Sequence, residues 1–409
     1  MPLDLDFVRS QFPGLRDEEV FLDNAGGSMT LARVAERVQD YLLHTDVQLG
    51  ATYPTSVRAA ERYSFARMRM AEFIGAARPD EIVFGPSSTI LLKILSSAMR
   101  SVVGEGDELV VTRMDHEANI GCWIELAEQR GAVVRFWEPD EATGDLELSG
   151  LEPLLSDRTR LVAVTHVSNI RGTIHPIAEI AREVHEHGAR ICVDGVAFAP
   201  HRPLDVGVWD VDYYVFSLYK VFGPHHAILY GKHDALLELD PVNHYFFQRE
   251  HVPGKLEPGN ANYELSHGAA GIVDYVEELG RRTDPSADPV AARRIAWDGI
   301  SEHEETLADR LLSCLRSRDD VTIVGHAGAA RERRVPTVSF VHATLRSSEI
   351  VTAMDAHGIG IRFGHFYAAR LIESLDLVAK DGVVRVSMVH YNSLAEIDRL
   401  VTAFAEILA

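Results

Sequence analysis

Residues 190–223 read RICVDGVAFAPHRPLDVGVWDVDYYVFSLYKVFG. Two apolar runs stand out, Arg190–Asp194 and Asp212–Phe216, rich in β-branched and aromatic side chains with little polar alternation. Strands covered on both faces have that composition. The first run closes on Asp194; the second is followed by Lys220 and a Gly223–Pro224 turn. The 26 residues from Asp194 to Lys220 suffice for a crossover and one further strand, so both side chains can meet at the carboxyl edge of one sheet. Ligands collect at that edge in open α/β sheets.

Burial disfavours an ammonium and lowers its pKa, as a lysine that carries an aldehyde covalently requires. A carboxylate at the same edge can hold a pyridinium nitrogen protonated. Together the two would make pyridoxal phosphate an electron sink. Each has a plainer alternative: Lys220 reaching solvent from a strand end, Asp194 capping a helix.

Working outward, further strand candidates are Glu108–Thr112, Val133–Trp137, Arg160–His166 and Ala227–Tyr230, with helical patterns at Ile120–Arg130 and Ile177–His187. That alternation predicts an α/β fold with a mostly parallel sheet and crossover helices. The polar segment Arg281–Pro289, with two prolines, is a boundary candidate. Beyond it come a helix near Val290–Arg316, strands at Val321–Val324 and Thr337–His342, a helix near Ser347–His357 and a strand at Val383–Met388. A last helix, Ser393–Leu408, opens with Ser393 and Glu396, a capping-box signature. The expected division is a large domain over 21–280 and a smaller α+β domain from 1–20 with 290–409.

The chain has 409 residues, long enough for two domains. It is 46% hydrophobic and 25% charged, an ordinary globular composition. No apolar run approaches the roughly 18–20 residues that span a bilayer, and the stretch from Met1 to Glu19 lacks the basic and apolar regions of a signal peptide. A net charge of −21 repels phosphate backbones, so nucleic acid is not expected as a partner, nor is a membrane. The three cysteines, Cys122, Cys192 and Cys314, form no CxxC pair and predict a reducing, cytoplasmic setting without a disulfide framework. None of the 19 histidines sits in a convincing metal-ligand set, so no metal is expected.

Six motifs carry a resemblance: Phe21-Leu-Asp-Asn-Ala25-Gly-Gly, Asp115-His116-Glu-Ala-Asn119, His166-Val-Ser-Asn169-Ile-Arg-Gly172-Thr, Asp194-Gly, Ser217-Leu-Tyr-Lys220 and Arg385-Val-Ser-Met-Val-His-Tyr391-Asn392. In this order they resemble class V aminotransferase-fold proteins of the cysteine desulfurase type, pyridoxal-phosphate enzymes of fold type I (aspartate aminotransferase-like). The likeness runs from Phe21 nearly to the end. It implies that Lys220 holds the cofactor aldehyde, Asp194 its ring nitrogen, and Asn169 its phenolic oxygen. It implies that His116 stacks on the ring, and that Ser88, Thr89 and Ser217 grip the phosphate. Ala25 and Arg385 would contact the substrate, Arg385 through paired hydrogen bonds to its α-carboxylate. The Glu257–Asn262 loop, with Asn260 where a threonine is usual, would reach a neighbour's phosphate site, implying a homodimer with shared active sites. Tyr219 replaces a common histidine, and His201 would lie near the cofactor edge or serve packing.

The departures bear on function. Desulfurases attack sulfur with a mobile cysteine in a segment beginning Arg-x-Gly-His. Here that segment is Arg362-Phe-Gly-His365-Phe-Tyr367-Ala, with Tyr367 at the cysteine's place. It is similar to segments in C–S lyases of lincosamide antibiotic pathways. The reading drawn from this is a C–S β-lyase that cleaves an S-substituted L-cysteine to thiol, pyruvate and ammonia. Tyr367, His365 and Tyr53 would contact the leaving group, and Tyr245-Phe246-Phe247 would line a pocket or pack at the dimer interface. The alternatives are a decarboxylating oxidative deaminase, a cysteine desulfurase, and a non-catalytic scaffold.

Overall fold

The computed structural model describes residues 3–16 and 18–408. Met1, Pro2, Asp17 and Ala409, which the expected division assigns to the smaller domain, lie outside the described residues. The strands, in chain order, are β1 Val20–Phe21, β2 Ile82–Gly85, β3 Glu108–Thr112, β4 Val133–Trp137, β5 Thr159–Thr165, β6 Arg190–Asp194, β7 Tyr213–Ser217, β8 Ala227–Gly231, β9 Val321–Val324, β10 Thr337–His342, β11 Ile359–Gly360, β12 Arg362–Gly364 and β13 Val383–Ser387.

Seven of these strands form one sheet in the order β2-β8-β7-β6-β5-β3-β4. The run β7-β6-β5-β3-β4 is parallel throughout. β8 runs antiparallel to both β7 and β2, which makes the sheet mixed. Its reversal follows from chain length: residues 218–226 are too few for a crossover, which takes a dozen or more. Alternate residues of the central strands enter opposite cores. Val162, Val164, Ile191, Val193, Tyr214 and Phe216 point to one side, and Leu161, Ala163, Cys192, Tyr213 and Val215 to the other. The helix Ile177–Glu186 covers the first face with Ile177, Ile180 and Val184. Ser88–Ala98 and Gly121–Arg130 cover the second with Leu91, Leu95, Trp123 and Leu126.

The smaller α+β part is a four-stranded antiparallel sheet, β12-β13-β10-β9, whose core includes Leu311, Val338, Phe340, Val384 and Phe404. β1 pairs in parallel with β11, tying the start of the chain to it. Residues 281–283, inside the boundary candidate, are still helical, because the helix Tyr263–Thr283 runs through them. The next helix, Pro289–Arg316, starts with Pro289 behind the cap Asp288. The two pack closely at Gly280, where a Cβ would fall 1.8 Å from the Ala292 carbonyl oxygen. The terminal capping box forms as expected: Ser393 Oγ accepts from the Glu396 amide, and the Glu396 carboxylate accepts from the Ser393 amide. Among the described residues no helix is long and apolar enough to cross a membrane.

Candidate active site

Parallel register brings the two deciding residues together. Asp194 is the last residue of β6, paired with Val215 of β7, and Lys220 follows β7 in the single turn Leu218–Lys220. One cavity at this carboxyl edge is lined by Ser88, Thr89, His116, Asn169, Asp194, Ser217 and Lys220. Seven predicted positions from five separate segments therefore share a single space.

At one end, Ser88 begins the helix Ser88–Ala98, and its hydroxyl hydrogen-bonds that of Ser217. Ser87, not Ser88 or Thr89, caps this helix by accepting from the Ile90 amide at 3.2 Å. The first-turn N–H groups and two hydroxyls make an anion site. At the other end Asp194 is buried. Burial raises its pKa, while the Val196 amide on Oδ1 (2.9 Å) and the charge of Lys220 work against that. Its Oδ2 takes no hydrogen bond among the described residues. Behind it Asp115, pushed up to about 7 by burial, binds the Asn119 amide group, the Thr112 hydroxyl and the Thr165 backbone, and so fixes the loop that carries His116.

Burial, with the Arg385 charge in second place, brings the Lys220 pKa down to about 8. His116 is pushed down to about 4, first by burial and then by Lys220, so its ring is neutral at neutral pH. Its Nδ1 accepts from the Ala118 amide at 3.1 Å, leaving the ring face open for stacking. Arg385, on β13, reaches in from the smaller sheet. Its Nη2 donates to Asp23 (3.1 Å) and its Nη1 to the Asn169 carbonyl (3.3 Å), while its buried Nε has no partner among the described residues. Its guanidinium lies 3.6 Å from the centroid of Phe366, and burial lowers its pKa to about 10. Ala25 is held beside β13 by donating its amide to Ser387 Oγ at 2.8 Å.

Other expected positions stand apart. Asn260, exposed and with φ 66°, lines a different cavity with His225. Tyr53 is exposed, just before the helix Pro54–Ile74. His365 and Tyr367 line a neighbouring cleft, where His365 Nδ1 accepts the Tyr367 amide at 3.0 Å. Tyr367 is 68% exposed, yet its ring comes within 5.1 Å of the His116 ring. Tyr219, by contrast, lines the central cavity with its ring stacked on His225 at 4.8 Å, and His201 pairs with the buried Glu304 at 3.0 Å. Tyr245 is 96% exposed on a loop. Sequence reasoning missed Asp23, which bridges Arg385 and Arg362, although it sits inside the quoted first motif.

The donor set fits pyridoxal phosphate. A lysine of lowered pKa, a buried carboxylate with one oxygen unpaired, and two hydroxyls at a helix start match its aldehyde, ring nitrogen and phosphate.

A family described as aminotransferase class-V matches residues 20–400. The aminotransferase-like protein FGM3 of Gibberella zeae is 41% identical over 411 residues, covering 99% of this chain and 98% of that protein. A cysteine desulfurase of Haloferax volcanii is 32% identical over 434 residues, covering 98% and 96%. The solved apo structure of a cysteine desulfurase from Thermococcus onnurineus superposes with a TM-score of 0.88 at 26% identity, covering 100% of this chain and 98% of that one.

These relatives overturn the expectation of a C–S β-lyase releasing thiol, pyruvate and ammonia. Whole-length likeness points instead to the cysteine-desulfurase type of reaction. The lyase expectation rested on Ala197 and on the segment Arg362–Ala368 with Tyr367 at the cysteine's place, and Tyr367 lies on the exposed rim rather than among the residues that line the cavity.

Proposed function

The chain belongs to the class-V aminotransferase family, in its cysteine-desulfurase-like branch of pyridoxal-phosphate enzymes, and from there we propose that it moves sulfur from L-cysteine to an external thiol, leaving L-alanine. The observation that carries this is the convergence of Lys220, Asp194 and His116 on one cavity that Arg385 approaches from the other sheet. Pyridoxal phosphate, when bound, draws the electrons of a substrate Cα bond into its ring.

The chain's own residues do the rest. Ser88, Thr89 and Ser217 hold the phosphate, Asn169 the phenolic oxygen, and Asp194 keeps a proton at the ring nitrogen. Arg385 binds the α-carboxylate and so orients the Cα–H, with Ala25 as a further substrate contact. Lys220, as neutral amine, takes the Cα proton. A thiolate then bonds to the substrate sulfur as the C–S bond breaks. The electron pair of that bond goes to Cβ, which takes up a proton. Cysteine and thiol become alanine and a persulfide, with atoms and electrons balanced.

The acceptor comes from outside because the chain's own thiols are unsuited. Burial pushes Cys122 up to about 12, Cys192 well above the usual range, and raises the half-buried Cys314 on the helix Pro289–Arg316 too. A low-pKa, accessible thiolate is what such attack needs. Three isolated thiols also suit a reducing, cytoplasmic setting. The Glu257–Asn262 loop would place Asn260 at a second copy's phosphate site, making the enzyme a homodimer. The proposed cofactor domain spans 21–280 and the smaller one the described residues of 1–20 and 290–409, with Val8, Phe12 and Trp297 packing into the larger core.

The test is product analysis with holoenzyme, L-cysteine and dithiothreitol. Alanine should appear in step with thiol-borne sulfur and slow when the thiol is withheld. Absence of alanine at every thiol concentration, or pyruvate in its place, refutes the reading.

A further inference from the structure

We propose that Glu117 and Arg370 are positioning residues whose ion pair latches the segment His365–Ala369 against His116, forming the wall that an incoming thiol must pass. The wall's purpose rests on the function proposed above; the latch does not.

Phe366 and Tyr367 both lie in the left-handed region, at φ 49° and 61°. Side chains other than glycine rarely adopt it, so two in succession must be held from outside. The Phe366 carbonyl accepts from Asn169 Nδ2 at 2.9 Å, and the Tyr367 carbonyl accepts from the Glu117 amide at 2.8 Å. Those contacts grip the backbone of the two strained residues. From just beyond them Ala368 and Leu371 are buried in the main core, and the ion pair adds a polar tie directly to the loop that carries His116. Arg370 Nε and Nη2 donate to the two Glu117 oxygens at 2.9 and 3.0 Å, the fork geometry of a strong carboxylate pair. The guanidinium also lies 5.6 Å from the centroid of Phe136 on β4.

Glu117 thus engages the segment twice, through its amide and its carboxylate, and it directly follows His116 in the chain. The result sets the Tyr367 ring 5.1 Å from the His116 ring. Both partners of the pair are partly exposed, with 30% and 42% of their side chains accessible. An ion pair of that exposure contributes modestly, which suits a latch that opens rather than a permanent weld.

The test uses holoenzyme without substrate. Hydrogen exchange is followed over residues 362–370, together with chymotryptic cleavage at Phe366 and Tyr367. Arg370→Ala and Glu117→Ala should raise both roughly two- to fivefold, with melting temperature and cofactor content unchanged. Arg370→Lys, which cannot form the fork, should fall between. The double exchange Glu117→Arg with Arg370→Glu should return toward wild type. Unchanged exchange and cleavage in the alanine variants, or loosening spread over the whole chain, overturns the latch. A swapped pair as open as the single variants assigns the effect to packing on Phe136 and overturns it too. For the wall, Arg370→Ala should raise the rate with glutathione relative to that with 2-mercaptoethanol by a similar factor; an unchanged ratio refutes it. Because the opening readouts need no turnover, failure to form alanine would overturn the proposed function alone.

Discussion

Burial sets the chemistry of single side chains here more than neighbouring charge does. Lys220 can take a proton only as the free amine, and its pKa is brought down to about 8. The sign follows: below that value the protonated form dominates and turnover falls, and above it turnover levels. With L-cysteine and excess thiol, the rate two pH units below 8 should be roughly a hundredfold under the plateau; a profile flat from pH 6 to 9 would remove Lys220 as the base. Asp194→Asn keeps the shape and discards the charge. At matched cofactor occupancy it should lose on the order of a hundredfold in kcat, and near-normal turnover would reduce Asp194 to a structural role. Residues such as Lys220, Asp194 and His116 were legible because each sits in a motif of several neighbours. Arg370 and Glu117 were not, being 253 positions apart, since a pair that meets only in three dimensions leaves no local pattern.

Among the elements, short apolar strands were the most readable, whether central or, like Val133–Trp137, at the sheet edge. Glu108–Thr112, Val133–Trp137 and Arg190–Asp194 have the ends expected from the sequence, because an apolar run bounded by polar turns has no other good resting place. β2, four residues long and ending in Gly85, and β1, two residues long, carry too little pattern to be seen. Register made the site possible: β5, β6 and β7 run side by side, so Thr165, Asp194 and Val215 line up, with Ser217 two residues further along β7. Helix packing can be tested at Gly280. Adding a methyl there forces the helices Tyr263–Thr283 and Pro289–Arg316 apart, and Gly280→Ala should cost about 1–3 kcal/mol in denaturant unfolding. Gly328→Ala, with nothing within 4 Å of the new Cβ, is the control and should be near neutral. Equal midpoints for the two variants would contradict the close approach.

At the scale of the whole molecule, the proposed dimer should have a mass in solution of about twice 45.3 kDa. Mixing Lys220→Ala with Asn260→Ala subunits should restore activity that neither variant has alone, since one of the two sites in a mixed dimer is then intact. A monomer, or no recovery on mixing, would end the shared-site reading. The family was readable across the whole chain, whereas the reaction was not, because local departures, chiefly the rim segment with Tyr367, were given more weight than the cavity behind them. Within one protomer the site joins two separate sheets: Lys220 and Asp194 belong to the seven-stranded one, Arg385 to the four-stranded one. An amino acid held by its carboxylate at one end and by the cofactor at the other is therefore a non-covalent staple across the molecule. α-Methylcysteine has no Cα hydrogen to lose and would staple without reacting. In calorimetry it should draw the melting of the two halves into one sharper, hotter transition, an effect that Arg385→Ala would abolish.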